Sequence, residues 1–340
     1  MTVRITGVGK HLPARILSNA DLEKMVDTSD QWIVERTGIR ERRLAAPDES
    51  AASMGTQAAR MALQTAGIRG DEIDLIVCAT CTPDGMFPAT ACLIQDAIGA
   101  RGATAFDVNA ACTGFIAALT TAAQFIDASS KRRALVIGSE VFSRIIDWTD
   151  RSTCVLFGDG AGAVILEAAD GKGPTPFVLK SDGAGYKLLY ARGPASPRSS
   201  PIESEGFCIV MDGREVFRFA VRAMEEACRQ VLDVAGLSID DATYIVPHQA
   251  NQRIITAVGK SLGVPPERMI VNLEKYGNTS SASIPLALCE AWEEGRLKEG
   301  DNLILVAFGG GLAWGASIVE WAKLGSEQHG ARQAPEAARA

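Results

Sequence analysis

GDGAGAVILE (158–167) and GGGLAWGASIVE (309–320) are two versions of one pattern, a glycine turn followed by an apolar extended run that ends in glutamate. Each closes a series of alternating helical and extended stretches. In the first series, helical spacing over 51–66 precedes extended runs at 72–80 and 103–109. A helix from 112 to 127 and an extended run at 133–140 follow, then CVLFGDGAGAVILEA (154–168), read as two extended runs around the glycines. In the second, a helix over 215–236 leads to a strand at 242–249, a helix at 250–262 and a strand at 268–274. A helix at 281–295, a strand at 302–308 and the second glycine turn with its strand complete it. Such alternation predicts a layered α/β fold, here duplicated. An N-terminal half covers 1–170 and a C-terminal half 215–324. Between them, 171–214 reads as a loop insertion rich in Gly, Pro and Ser, and the polar tail 325–340 is expected to be disordered.

The chain has 340 residues, 47% of them hydrophobic, and a formal net charge of −7. That length supports a large core, and the charge argues against a nucleic-acid partner bound by a general basic surface. No run approaches the roughly 20 uninterrupted apolar residues of a membrane span. The start, MTVRITGVGKHLPA, reads as a strand ending near Pro13 and lacks the apolar core of a signal peptide. The expectation is a cytoplasmic protein with no membrane partner. Eight cysteines, at 78, 81, 92, 112, 154, 208, 228 and 289, are scattered through mostly apolar surroundings. In a reducing compartment each reads first as a small hydrophobe.

Cys78-Ala-Thr-Cys81 has no second ligand pair to complete a zinc site, and residues three apart on a strand point to opposite faces. No metal site is read. The GDGAGA glycines precede a strand rather than the helix a dinucleotide loop needs, so nicotinamide and flavin binding are rejected. Of three histidines, His248 alone ends a buried strand, in IVPHQAN (245–251), where α/β proteins commonly place their sites. Asn278, in YGNTSS (276–281), and Cys112, in DVNAACTGF (107–115), both sit at extended-to-helix junctions, one in each half. Across a pseudo-twofold axis the two junctions would face each other, with His248 alongside. A helix N-terminus would favour a thiolate at Cys112. His248 and Asn278 would donate hydrogen bonds to a developing oxyanion or enolate, and the Gly309–Gly311 turn would add backbone N–H groups.

Taken together, TSDQWIVERTGIRERR (28–43), DVNAACTGF, GDGAGA, VPHQAN (246–251), EKYGNTSSASIPLAL (274–288) and AFGGGLAWG (307–315) resemble β-ketoacyl-[acyl-carrier-protein] synthase III, a condensing enzyme of the thiolase superfamily. The likeness runs from about residue 3 to 322. It implies a five-layered αβαβα fold, a homodimer, and a catalytic triad of Cys112, His248 and Asn278. Cys112 would accept an acyl group, acetyl in the first instance, from acyl-coenzyme A. Condensation with malonyl-acyl carrier protein would then give a 3-ketoacyl product and initiate fatty-acid synthesis. No cofactor is implied beyond the coenzyme A thioester itself. Cys112 and Gly310 would supply the oxyanion hole. Trp32 would stack on adenine, with Arg36 and Arg151 beside it. Thr28, Asn251 and residues 209–214 would line the pantetheine channel, although Arg214 is larger than the family pattern suggests. Phe87, Phe142, Phe157 and Leu189 would shape the acyl pocket, Phe87 by crossing into the partner subunit. Arg218, Arg253 and Lys260 are either a patch for the acidic carrier protein or an ordinary solvated face.

Three competing readings remain at this level. A relative of specialised metabolism would share the triad and differ in acyl pocket or acceptor. A cysteine hydrolase, thioesterase or papain-like, would use the same residue types. A non-catalytic carrier-protein binder would leave the coexistence of Cys112, His248 and Asn278 without a reason.

Overall fold

A computed structural model describes residues 3–128, 131–169, 174–194, 196 and 206–324. The first half contains β1 (Val3–His11), α1 (Ala51–Ala66), β2 (Leu75–Ala79), α2 (Thr90–Ala97), β3 (Thr104–Val108), α3 (Gly114–Ala128), β4 (Arg133–Glu140) and β5 (Gly160–Ala168). Its strands lie in the order β3-β2-β4-β5-β1, the first three parallel and β5 antiparallel to both neighbours. The second half contains β6 (Phe177–Ser181), α4 (Gly213–Ala235), β7 (Tyr244–Pro247), α5 (Gln252–Leu262), α6 (Ser283–Glu293), β8 (Asn302–Gly309) and β9 (Ala313–Trp321). Here the order is β7-β8-β9-β6, with the same directions. The place of β3 is taken by the chain at Met269, which makes a single parallel bridge to Ile245. β1 and β9 meet in parallel at Arg4 with Glu320 and Ile5 with Trp321, so the nine strands are continuous.

The duplicated sheets stand in five layers. α1 and α2 cover the outer face of the first sheet, α4 and α5 the outer face of the second, and α3 and α6 fill the space between. Hydrophobic patterning dictates that assignment. α4 buries one stripe, Val216, Ala220, Ala223, Met224, Ala227 and Val231, as a helix with one wet face should. α3 buries Phe115, Ile116, Leu119, Ala122 and Ala123 because it packs against strands of both sheets. The 18 residues Ala111–Ala128 are consequently apolar enough, by length and composition, to cross a membrane. Thr120, Thr121, Gln124 and Asp127 interrupt the stretch, so it holds no uninterrupted apolar run of about 20 residues, as expected from the sequence. This is a core helix with a sheet on either side.

Three local expectations also change. Residues 154–157 are not a strand. Asp150 caps a helical turn, Arg151–Cys154, by accepting from the Ser152 N–H, and only Phe157 pairs, bridging to Asn278. No strand forms over 268–274. The Gln249 side chain donates to Ile270 O and accepts from Asn272 N, taking backbone groups a strand neighbour would need. The insertion 171–214 is not all loop. β6 extends to Ser181, a 3₁₀ segment covers Gly183–Leu188, and Leu189–Ala191 pairs antiparallel with Ile209–Met211. The tail expected to be disordered, 325–340, lies outside the described residues.

Each sheet touches the opposite half at a glycine. A Cβ on Gly138 of β4 would stand 2.2 Å from the Ser281 carbonyl oxygen, and one on Gly309 at the end of β8 would stand 2.7 Å from the Cys112 nitrogen. Both clashes are with backbone, which has no rotamer to yield. Gly138→Ala is expected to lower unfolding free energy by roughly 1–3 kcal/mol, read as a lower urea midpoint at unchanged slope. Gly102→Ala, where an added Cβ meets nothing within 4 Å, should stay within about 0.5 kcal/mol of the parent.

Candidate active site

Two 3₁₀ turns meet between the sheets. Ala111–Thr113 precedes α3 and Ser280–Ala282 precedes α6, and the two are in contact. Each begins in the left-handed region, Ala111 at φ +47° and Ser280 at φ +50°, and no other described non-glycine residue has positive φ. Such backbone costs about 1–3 kcal/mol per residue, a strain typical of functional sites. The duplication thus sets Cys112 and Ser281 in equivalent places, each turn resting on the glycine of the opposite sheet.

The structure brings Cys112, His248 and Asn278 to one narrow cavity of about 80 Å³, which Leu156, Phe157, Leu189 and Phe308 also line. His248 follows β7, and its backbone N–H continues the parallel ladder to Val306 O at 2.8 Å. Asn278 is stitched to the first half: its N–H donates to Leu156 O at 2.8 Å and its carbonyl accepts from Gly158 N at 3.0 Å. The Asn278 Oδ1 accepts from the Ser280 N–H at 2.9 Å, which leaves Nδ2 to donate. His248 Nδ1 lies 2.7 Å from Ser283 Oγ, while its Nε2 is buried with no protein partner. Gly310 follows the strand that presses on Cys112, and a Cβ there would stand 3.6 Å from the Ala111 side chain.

The electrostatics correct one expectation. Burial pushes the Cys112 thiol up to about 12. The Ser280 hydroxyl and a backbone N–H oppose the rise, and the Glu140 carboxylate adds to it. The helix N-terminus therefore does not yield a resting thiolate, because taking a charge out of water outweighs it. Burial likewise holds His248 neutral, bringing it down to about 3.

Two family models match the chain, 3-oxoacyl-[acyl-carrier-protein] synthase III over residues 106–183 and its C-terminal counterpart over 232–321. A β-ketoacyl-[acyl-carrier-protein] synthase III of Symbiobacterium thermophilum is 52% identical over 325 residues, covering 94% of this chain and 98% of that protein. The chain belongs to the β-ketoacyl-[acyl-carrier-protein] synthase III family. Among solved structures, 3-oxoacyl-[acyl-carrier-protein] synthase III from Aquifex aeolicus superposes with a TM-score of 0.88 at 48% identity, covering 94% of this chain and all of that one. The priming β-ketosynthase of the R1128 polyketide pathway does so with the same score at 40% identity, covering 94% and 96%.

The remaining candidate residues of this synthase III chain fall into separate places. Trp32 stands half-buried on the short helix Asp30–Thr37, with the Arg151 guanidinium 5.0 Å from its ring centroid. Arg151 also donates to Asp27 O at 2.7 Å, and Arg36 is exposed. The half-buried Thr28 has a buried hydroxyl with no protein partner. Asn251 links the Asp30–Thr37 helix to the cavity: it lines the cavity, caps α5 and donates to Arg36 O at 3.0 Å. Met211 and Gly213 line the cavity, whereas Arg214 is exposed and does not.

Phe157 and Leu189 line the cavity, but Phe142 does not; it stacks behind Phe157 at 5.2 Å between centroids. Phe87 is 87% exposed and touches none of them within one chain. Arg218 and Arg253 lie on the packed pair α4 and α5, Arg218 bonded to Glu215 at 2.8 Å and Arg253 over the Phe217 ring at 5.3 Å. Lys260, two turns along α5 from Arg253, lines a separate groove of about 440 Å³ with Met269 and Arg296.

Glu140, to which the sequence assigned no role, is fully buried at the end of β4. It accepts from Ser281 Oγ at 2.7 Å, the Cys81 N–H at 2.9 Å and Thr82 Oγ1 at 2.9 Å. A glutamate closing an apolar strand was the available signal. Burial raises it to about 7 against those hydrogen bonds. The native state keeps this proton where the unfolded chain, near 4.5, has lost it, so the Glu140 contribution to stability falls as pH rises from 4.5 to 7. His248 titrates in the opposite sense in both parent and variant, and cancels. The stability of Glu140→Gln relative to the parent is therefore expected to rise by roughly 3 kcal/mol across that window. Urea unfolding at pH 4.5 and 7.5 measures it, and a difference flat with pH contradicts the assignment.

Proposed function

We propose that this chain transfers an acyl group, acetyl in the first instance, from acyl-coenzyme A to Cys112 and condenses it with malonyl-acyl carrier protein, starting fatty-acid synthesis. The observation that carries the reading is the meeting, at one cavity, of a buried thiol with the His248 ring, whose Nε2 has no protein partner, and the Asn278 amide, whose Nδ2 is left to donate.

In the first half-reaction the Cys112 sulfur adds to the thioester carbonyl. The new C–S bond replaces the bond to coenzyme A, and the proton lost from Cys112 leaves on the coenzyme A thiol. Backbone N–H groups of Cys112 and Gly310 hold the tetrahedral oxyanion. In the second, the malonyl C–C bond breaks and carbon dioxide departs. The electron pair spreads onto the thioester oxygen, where His248 and Asn278 donate. The carbanion carbon then attacks the acyl-Cys112 carbonyl and expels the Cys112 sulfur, which takes up a proton from solvent as the 3-ketoacyl-carrier protein leaves. Neutral donors suit this step, since they stabilise the enolate without first forming an ion pair with the malonyl carboxylate that must be lost. No cofactor enters either half.

Trp32 would stack on adenine with Arg36 and Arg151 beside it, and Thr28 and Asn251 would line the pantetheine channel. Phe87, exposed in one chain, would be covered in a homodimer and close the partner's acyl pocket with Phe142, Phe157 and Leu189. Arg218, Arg253 and Lys260 would meet the acidic carrier protein. Eight free cysteines fit the cytoplasm.

Intact-protein mass spectrometry with a panel of acyl-coenzyme A thioesters tests the reading. The expected result is one acyl adduct at Cys112, discharged as a ketoacyl product when malonyl-carrier protein is added. An adduct lost to water without product would make the protein a hydrolase instead. His248→Ala should lower malonyl decarboxylation roughly 10²–10⁴-fold and leave Cys112 acylation within a few-fold. Equal loss of both half-reactions would make His248 the base for the thiol. Trp32→Ala should raise the KM for acetyl-coenzyme A roughly tenfold with kcat little changed, checked against acetyl-pantetheine, whose KM should not move.

A further inference from the structure

Ser283 opens α6 and is buried. Its Oγ lies 2.7 Å from His248 Nδ1 and 3.3 Å from the Gln249 backbone nitrogen. A backbone N–H can only donate, so it occupies one lone pair of the hydroxyl. The hydroxyl keeps one proton to give, and among the described residues His248 Nδ1 is the acceptor within its reach. An imidazole nitrogen that accepts is bare, and a neutral ring then carries its proton on the other nitrogen. That other nitrogen, Nε2, is the buried atom without a protein partner, on a ring that lines the Cys112 cavity and sits 5.8 Å from the Phe308 ring.

We infer that Ser283 is a positioning residue that holds the His248 proton on Nε2, through the chain Gln249 N–H to Ser283 Oγ and Ser283 O–H to His248 Nδ1. The consequence for catalysis rests on the function proposed above: His248 faces substrate as a donor to the malonyl thioester oxygen, with no lone pair turned toward Cys112. The arrangement also accounts for two serines near Asn278 having different tasks. Ser281 bonds to Glu140 and Ala79 O at the seam between halves, while Ser283, half a turn further, fixes a tautomer.

The tautomer is measurable without any activity. The chain has three histidines, His11, His248 and His329, so ¹⁵N spectra of histidine-labelled protein at pH 7, with His11→Gln and His329→Gln for assignment, should show His248 with a protonated Nε2 and a bare Nδ1. A proton on Nδ1 overturns the inference, whatever the protein catalyses. In Ser283→Ala the two tautomers should both become populated, and malonyl decarboxylation should fall at least ~10-fold, more than Cys112 acylation does. A variant that keeps pure Nε2–H and full decarboxylation also overturns it. If the variant does not fold, the parent spectrum still decides.

Discussion

The whole arrangement depends on a reciprocal backbone contact. In each half a 3₁₀ turn before the middle-layer helix presses onto a glycine in the other half's sheet: the Cys112 turn on Gly309, the Ser281 turn on Gly138. Neither contact has room for a methyl group. Duplication followed by face-to-face packing thus generates a seam at which residues 143 and 197 positions apart in sequence are held by backbone rather than by adaptable side chains. Backbone has few ways to relax, so the geometry of the cavity inherits the rigidity of two sheets. The strain at Ala111 and Ser280 persists because both sheets over-determine it.

That same seam excludes water, and exclusion sets the charge states. Cys112 is pushed up, His248 down and Glu140 up, all with burial as the leading cause. A site built from neutral groups cannot rely on a standing ion pair. It works through hydrogen-bond donors placed where charge will develop, which is worth more in a dry cavity than in water. The tautomer of one imidazole then matters as much as its position.

Some of this was legible from residue types. The order of helices and strands was repeated, Cys112 and Asn278 stood at matched junctions, and His248 ended a buried strand, so three residues far apart in the chain could be grouped from the sequence. The strand expected over 268–274 was not legible, because a side chain from outside the window, Gln249, takes up its hydrogen bonds. The thiolate expected at Cys112 failed for a related reason: the helix N-terminus is a local feature, whereas burial is decided by everything packed around it. Phe142 and Phe157 looked alike in sequence, yet Phe157 faces the cavity and Phe142 stands behind it.

The sequence by itself determined the duplicated α/β order, the apolar middle helix and the identity of the chemical groups, since these follow from periodicity and from which side chains exist. Tertiary structure alone decided the protonation states, the partner of each polar atom and the pairing of Glu140 with Ser281 and of Ser283 with His248. The physical reason is one of range. Periodicity and capping act within a turn or two of the chain, while desolvation and hydrogen-bond completion depend on neighbours that the chain brings together only when both halves have folded against each other.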